Sequence, residues 1–290
     1  MTPMRRLAAD FAASPLAISG LALLGLLLLA ALLAPLISPQ DPYDLAQLDL
    51  LDSRLPPGAH SSAGAVYWLG TDDQGRDMLS AILFGLRTSF LVGVASTMLG
   101  LAIGVSLGLA AAWFGGWVDA LIMRLADLQL SFPSILIALV LLAVLGQGIE
   151  KIVVALVAVQ WAYFARTARA AAVVERSKEY IEAAVALALP QTRIVFRHLL
   201  PNCLPPLLAV ASVQIAAAIT LEATLSFLGL GLPVTEPSLG LLVANGYTYM
   251  LSGSWWISLL PGAALLLLVG GINVVADHLA DVLNPRLTGG

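Results

Sequence analysis

Thr88 to Val118 reads TSFLVGVASTMLGLAIGVSLGLAAAWFGGWV, and no charged residue falls between Arg87 and Asp119. A helix needs about 20 mainly apolar residues to cross the roughly 30 Å hydrocarbon core of a bilayer, and this stretch is longer than that. The rest of the chain agrees with it. Of 290 residues, 59% are hydrophobic and 11% charged, whereas a soluble domain carries about 25% charged residues. No soluble fold hides so much apolar surface, so lipid must be the solvent for much of it. Lipid offers backbone N–H and C=O groups no partner, which makes helices the default. No ten-residue alternating pattern suggests a barrel.

Further charge-free runs mark the other crossings. One lies between Asp10 and Asp41, with its apolar part from Leu16 to Ile37. Others run from Asp127 to Glu150, from Lys151 to Arg166, from about Cys203 to Leu232 with Glu222 inside it, and from Trp256 to Ala276. The Lys151–Arg166 run is short, so Arg166 snorkels or the helix continues past it. The first run follows Arg5 and Arg6 and ends in Pro35 and Pro39. It exceeds the about 7–15 apolar residues of a signal peptide, which favours an uncleaved first helix. The expected fold is therefore an all-α integral membrane protein with about six transmembrane helices.

Basic residues orient it. Placing the N-terminus inside puts Arg5, Arg6, Arg124, Arg166, Arg169, Arg176, Lys178, Arg193, Arg197 and Arg286 on the inner face, ten in all. Arg54, Arg76, Arg87 and Lys151 then lie outside, four in all. The excess inside favours cytoplasmic termini, and an even number of crossings requires both termini on one side. The divisions expected are a stub and first helix over 1–37, an outer loop over 38–86, a membrane domain over 87–281 with a cytoplasmic loop at 170–202, and a tail over 282–290. The net charge of −4 argues against a nucleic-acid partner. Cys203, the only cysteine, forms no internal disulfide and reads as a small apolar residue.

The cytoplasmic loop is patterned. Arg176 to Ala188 reads RSKEYIEAAVALA, which puts Ile181, Ala184, Val185 and Ala188 on one helical face with Glu179 and Glu182 beside it. Leu189-Pro190 breaks the pattern, and Pro190 suits the first turn of a second helix. That helix would carry Arg193, Arg197 and His198 and end at Pro201. Two short helices presenting an apolar ridge with charged flanks fit docking into a groove of another protein. They also fit an amphipathic helix lying on the membrane.

Glu182-Ala183-Ala184 followed by Leu200-Pro201 resembles the EAA loop of binding-protein-dependent ABC importers. The resemblance implies that Glu179, Glu182, Ala183, Ala184, Ala188, Arg193, Arg197, His198, Leu200 and Pro201 form a loop seated in a cleft of an ATPase subunit, whose motion it transmits. Two positions depart from the family pattern: Ala188 stands where glycine is usual, and His198 where isoleucine is. Trp68 to Asp77, WLGTDDQGRD, followed by Leu79-Ser80, resembles the peptide and nickel permease branch. So do Ser226 to Gly231, SFLGLG, with Pro237-Ser238, and Asp277, Asp281 and Asn284-Pro285-Arg286, where aspartate is more usual than Asn284. Pro201-Asn202-Cys203-Leu204 and Trp255-Trp256 look most like the C-type subunit of dipeptide permeases. The implied machine sits in a bacterial cytoplasmic (inner) membrane. It pairs this chain with a second homologous permease subunit, two ATPase subunits that bind the ATP and magnesium, and an extracytoplasmic substrate-binding protein. The chain itself would hold no cofactor and would form half of a pathway for short peptides.

Nickel or another small solute is the alternative cargo, against which stands the scarcity of His and Cys in the apolar runs. An ion-gradient-driven secondary transporter is the rival from another class; such proteins often show inverted repeats, and none is legible here. Glu222 inside an apolar helix lines the pathway or makes a structural hydrogen bond to a neighbouring helix. Gln214, eight residues earlier, lies roughly on the same face. Asp72, Asp73, Arg76 and Asp77 contact a delivery protein or cap the start of a helix lying along the membrane surface. Trp255 and Trp256 read as interface anchors. The only lysines, Lys151 and Lys178, follow no GxxxxG loop, so there is no Walker A motif. His60, His198 and His278 are scattered without metal-ligand spacing, and no GxSxG elbow occurs. A non-catalytic membrane subunit is expected.

Overall fold

A computed structural model describes residues 11–42, 44, 48–62, 64, 66–233 and 236–283. Arg5, Arg6, the Asn284-Pro285-Arg286 segment and most of the expected tail lie outside the described residues. Helix α1, Pro15–Ile37, opens on Ser14, whose hydroxyl accepts from Ala17 N. Next comes α2, Met78–Phe114, which is 37 residues long. It starts well before Arg87 because Asp77 caps it, and Arg87 projects outward from its exposed side. The outer segment is accordingly shorter than 38–86. It holds a 3-10 turn at Leu50–Asp52 and a two-residue hairpin, β1 Ala59–His60 against β2 Val66–Tyr67, antiparallel with Ala59 opposite Tyr67.

The third crossing is not one helix. α3, Gly116–Leu130, and α4, Ser134–Leu145, meet at a bend of 92°. Pro133 explains the break: its ring disfavours helical backbone at Phe132 and withholds an N–H from the ladder. At 1.5 Å per residue α4 spans only about 18 Å. Gln129 Nε2 donates to the carbonyls of Ala158 and Val159 and so ties the bend to α5, Ile149–Arg176. Helix α5 runs past Arg166 by ten residues. Arg166 then pairs with Asp127 at 2.9 Å, and Arg169 grips both oxygens of Asp119, which fastens α3 alongside.

α2 and α5 pack through Gly100, Gly104 and Gly108, one per helical turn. A Cβ on Gly104 would fall onto the Trp161 carbonyl and the Phe164 side chain. Between lipid-embedded helices, close backbone approach replaces the hydrophobic drive as the source of attraction. The next elements are α6, Glu179–Ala186, and α7, Gln191–Ile194; a π turn over Val195–Leu199 then leads into α8, Leu200–Phe227. The helix expected to end at Pro201 therefore does not end there. It runs unbroken into the fifth crossing, and the wide π turn sits just ahead of Pro201, Pro205 and Pro206, which each withhold an N–H.

A short helix with no counterpart in the sequence reading, α9 at Leu239–Met250, follows, capped by Ser238 Oγ accepting from Leu241 N at 3.1 Å. The last, α10, covers Trp256–Leu283 and passes Ala276 by seven residues. Its first residue corrects an expectation. Trp255 is 47% exposed, but Trp256 is buried and donates Nε1–H to the Thr71 carbonyl at 3.1 Å, pinning the outer segment to the bundle. Interior side chains gather where α2, α8, α9 and α10 meet (Met78, Ile219, Leu242, Leu268) and where α4, α5 and α8 meet (Leu142, Leu156, Leu225). A third group, including Phe164, Leu199 and Cys203, joins α2, α5 and α8 near α6. Among the described residues, five helices, or six crossings with the bent pair counted as one, are long and apolar enough to span a membrane.

Candidate functional site

The segment from Arg176 to Leu200 projects from one end of the bundle. Its helix α6 begins after Lys178 and packs Ile181 and Ala184 onto Ile194, Trp113 and Leu189. The expected apolar ridge is thus divided: Ile181 and Ala184 turn inward, while Val185 and Ala188 face out. Glu179, Glu182, Ala183, Arg193, Arg197 and Pro201 are exposed; His198 and Leu200 are half-buried. Exposed Leu187 and Phe196, at 75% and 66%, add apolar surface. A cleft of about 710 Å³ opens beside Glu182, walled by Arg176, Val185, Gln191 and Trp113.

The turn that folds this ridge back is specific. Leu189 N donates to Ala184 O at 3.2 Å and Ala188 N to Val185 O at 2.9 Å. This 6→1 and 5→2 pair is the Schellman arrangement, whose residue after the cap is left-handed and usually glycine. Ala188 takes that place at φ 51°. The position where the family pattern has glycine is therefore the one where the backbone calls for it, and this chain meets the demand with alanine at a strain of about 1–2 kcal/mol.

Side chains outside the expected coupling set hold α6 in place. Arg176 donates to the Ala112 carbonyl at 2.7 Å and lies over the Trp113 ring, and Trp113 Nε1 donates to Gln191 Oε1 at 3.1 Å. Tyr180 donates to Glu175 at 2.8 Å and accepts from Asn202. Burial, then the bond to the Glu175 carboxylate, pushes the Tyr180 hydroxyl up to about 12. Only the aromatic and amide content around the loop hinted at these contacts, because Trp113 and Gln191 lie 78 residues apart.

At the other end of the bundle the charged residues behave differently. Asp72 accepts from the N–H groups of Gln74 and Arg76 and from Arg76 Nε, and both side chains are buried. Asp77 is buried as well and caps α2 by accepting from Ser80 N and Ser80 Oγ. Of the four residues proposed as delivery-protein contacts or caps, only Asp73 keeps a partly open carboxyl. It borders a cavity of about 410 Å³ with Ser226, Asn245 and Tyr249. Burial, then the Asp72 charge, raises its pKa above the ordinary aspartate range.

The two polar residues of α8 also part company. Glu222 is fully buried; Ser226 Oγ donates to its Oε1 at 2.7 Å, and the Ser89 and Ser238 hydroxyls face the same carboxyl from α2 and from the cap of α9. Glu222 is thus enclosed among helices of its own chain. Gln214 does not share that enclosure. It is half-buried and lines a cavity of about 80 Å³ with Gln160, Tyr163 and Ser134.

Comparison with known proteins places these features in a wider set. Residues 100–289 match the family described as binding-protein-dependent transport system inner membrane component. Residues 2–57 match the N-terminal TM domain of oligopeptide transport permease C. The chain is 36% identical over 286 residues to the di/tripeptide transport system permease protein DppC of Pseudomonas aeruginosa, covering 99% of this chain and 93% of that one. It is 36% identical over 256 residues to the dipeptide transport system permease protein DppC of Haemophilus influenzae, covering 88% and 85%. A chain of the MetNI methionine ABC transporter, in an inward-facing conformation, superimposes with a TM-score of 0.55 at 21% identity, covering 71% of this chain and 98% of that one. This last likeness concerns the fold.

Proposed function

The chain belongs to the binding-protein-dependent transport system inner membrane components, and from that premise we propose that it forms half of the translocation pathway of an ATP-driven importer of short peptides. Membership makes it a multi-pass inner-membrane permease subunit of an ABC importer. Peptide cargo is supported by the DppC relatives, which are transport permeases for dipeptides and tripeptides. The proposed assembly adds a second permease subunit, two ATPase subunits that bind ATP and magnesium, and a binding protein that delivers cargo from outside. Both termini and the Arg176–Leu200 segment lie in the cytoplasm, on the ten-to-four distribution of basic residues.

The observation that carries the coupling role is α6 itself: a short helix with Glu179 and Glu182 on its exposed face, ending in a left-handed turn at Ala188. Such a helix suits insertion into a groove of an ATPase subunit. ATP binding closes the ATPase pair, and the motion reaches α5 and α8 through the elements flanking α6. The energy enters as unequal affinity of ATP for two states of the assembly.

Glu182→Arg tests this. The residue is exposed, so stability changes by less than about 0.5 kcal/mol. Charge reversal at a docking face costs several kcal/mol; a loss of about 2.8 kcal/mol weakens the contact roughly a hundredfold. Uptake and peptide-stimulated ATP hydrolysis are measured in a reconstituted complex. Both are expected to collapse while the variant still folds. Undiminished uptake with undiminished stimulation removes Glu182 from the coupling surface.

A further inference from the structure

We propose that the groove between α2 and the arm formed by α7 and the start of α8 binds an anionic phospholipid of the inner leaflet. Its acyl chain lies along the groove and its headgroup meets Arg193 and Arg197. From the reading above this takes only that this end of the bundle meets the inner leaflet; the cargo plays no part.

The groove, of about 530 Å³, is built from two facing stretches. One wall comes from Met98 to Phe114 of α2 and the other from Gln191 to Leu207, with Trp113 bonded to Gln191 at the loop end. Ala102, Ser106 and Ala110 put small side chains along the α2 wall. The Ser106 hydroxyl donates to the Ala102 carbonyl of its own helix at 2.7 Å, so that wall stays apolar. The other polar lining is Trp113, Gln191 and Thr192, all at the loop end, and no charged residue lines the groove. Each wall is about 24 Å long at about 1.5 Å per residue. One leaflet with its headgroups measures about 20–22 Å, half of a bilayer. The groove therefore runs the depth of one leaflet, polar at the headgroup end and apolar below. Exposed Phe114 and Trp117, at 68% and 75%, mark the headgroup level.

The charges select the lipid. Arg166, Arg169, Arg176 and Lys178 each have a partner. Arg193 and Arg197 are exposed, and among the described residues neither has an ion pair or a hydrogen bond. They flank Phe196, which lines the groove and is 66% exposed. Basic residues immediately cytoplasmic of a transmembrane helix attract anionic headgroups, and the guanidinium fork pairs with phosphate through two parallel bonds. A zwitterionic lipid would bring an ammonium beside two guanidinium groups, which repel it. An apolar helix of another subunit would leave both arginines without a counter-charge.

The test uses the complete complex in phosphatidylcholine nanodiscs. These carry traces of phosphatidylglycerol or phosphatidylcholine bearing the same photoreactive acyl chain, and labelled peptides are located by mass spectrometry. In wild type, phosphatidylglycerol is expected to label residues 98–114 and 191–207 about thirtyfold more than phosphatidylcholine does. Arg193→Gln and Arg197→Gln are each expected to cut that preference about fivefold, which is about 1 kcal/mol per arginine. Ser106→Phe is expected to remove labelling of the groove by both lipids. Co-purification of the partner subunits and the unfolding midpoint check assembly; if Ser106→Phe does not assemble, the arginine variants decide. Equal labelling by the two lipids in wild type would mean ordinary solvating lipid and overturns the site. Arginine variants that shed the ATPase subunits with the lipid preference unchanged overturn it as well, and return both residues to the ATPase contact. A groove unlabelled in wild type, with Ser106→Phe separating the two permease subunits, gives it to a helix of the second permease subunit and also overturns the site. Each of these outcomes leaves the peptide importer standing.

Discussion

The two ends of the bundle carry equally charge-rich segments and dispose of them in opposite ways. Around Asp72, Arg76 and Asp77 the charges turn inward, each residue at 1% exposure and each engaged with its own segment. Around Glu179, Glu182, Arg193 and Arg197 they turn outward beside exposed Leu187 and Phe196. The first group is scaffold: it fixes where α2 begins and, with Trp256 donating to Thr71, clamps the outer segment to α10. The second group is surface. Charge density along the chain does not separate the cases; the spacing of hydrogen-bond partners does. Asp77 stands three residues before Ser80 and caps a helix, whereas Glu182 sits in the first turn of α6 on its exposed face.

The comparison breaks most severely at Arg76. Arg76→Met removes the cation but keeps the bulk, leaving the Asp72 carboxylate buried beside two N–H groups. Breaking one side of a buried pair costs about 3–5 kcal/mol. The midpoint of thermal unfolding in detergent is expected to fall by roughly 10 °C, at about 2–4 °C per kcal/mol for a chain of this size. A midpoint equal to that of wild type would mean that the pair is incidental and the inward-turned end is no scaffold.

A milder and opposite effect is expected at the outward-turned end. Ala188→Gly removes the strain of a left-handed alanine and is expected to stabilise the turn by about 1 kcal/mol. Hydrogen exchange at the Ala188 and Leu189 amides should slow about fivefold in the α6 turn alone, while the α2 and α10 amides keep their rates. Faster exchange would show that the freedom of glycine loosens the turn more than relief of strain tightens it.

Much of this arrangement was legible in the sequence. Lipid permits only helices, so the apolar runs gave the crossings; the sequence offered Asp72, Asp73, Arg76 and Asp77 together as contacts or caps, without separating Asp77 as the one that caps α2. Other features depended on partners far away along the chain. The break in the third crossing had a visible signal in Pro133, but the run was charge-free on both sides and read as continuous. Helix α9 was passed over because it is too short to cross a bilayer, although Pro237-Ser238 marks its start. Glu222 stood open between pathway lining and a hydrogen bond to a neighbouring helix, because Ser89 and Ser238, which face it, come from other elements. Pro201 read as a stop, and the π turn that lets α8 carry it is a property of the packed helix, not of the local residues.

Asp73 sharpens the comparison with the smallest effect. Part of its surface lies on a cavity, and its pKa is raised by burial and then by Asp72, against weaker opposing effects of its own backbone N–H, Arg76 and Arg54. A carboxyl that binds its proton more tightly folded than unfolded adds stability in acid. That contribution is complete below the unfolded value and is lost as pH rises through the raised folded value. At neutral pH Asp73 therefore works against the fold, and Asp73→Asn is expected to be slightly more stable than wild type there, by less than about 1 kcal/mol since the side chain is only half-buried. At pH below the ordinary aspartate range both forms are neutral and the difference should vanish. Unfolding midpoints of the two proteins across that range decide it. A variant less stable than wild type at neutral pH would mean that the Asp73 charge, like that of Asp72, is engaged by the surrounding segment.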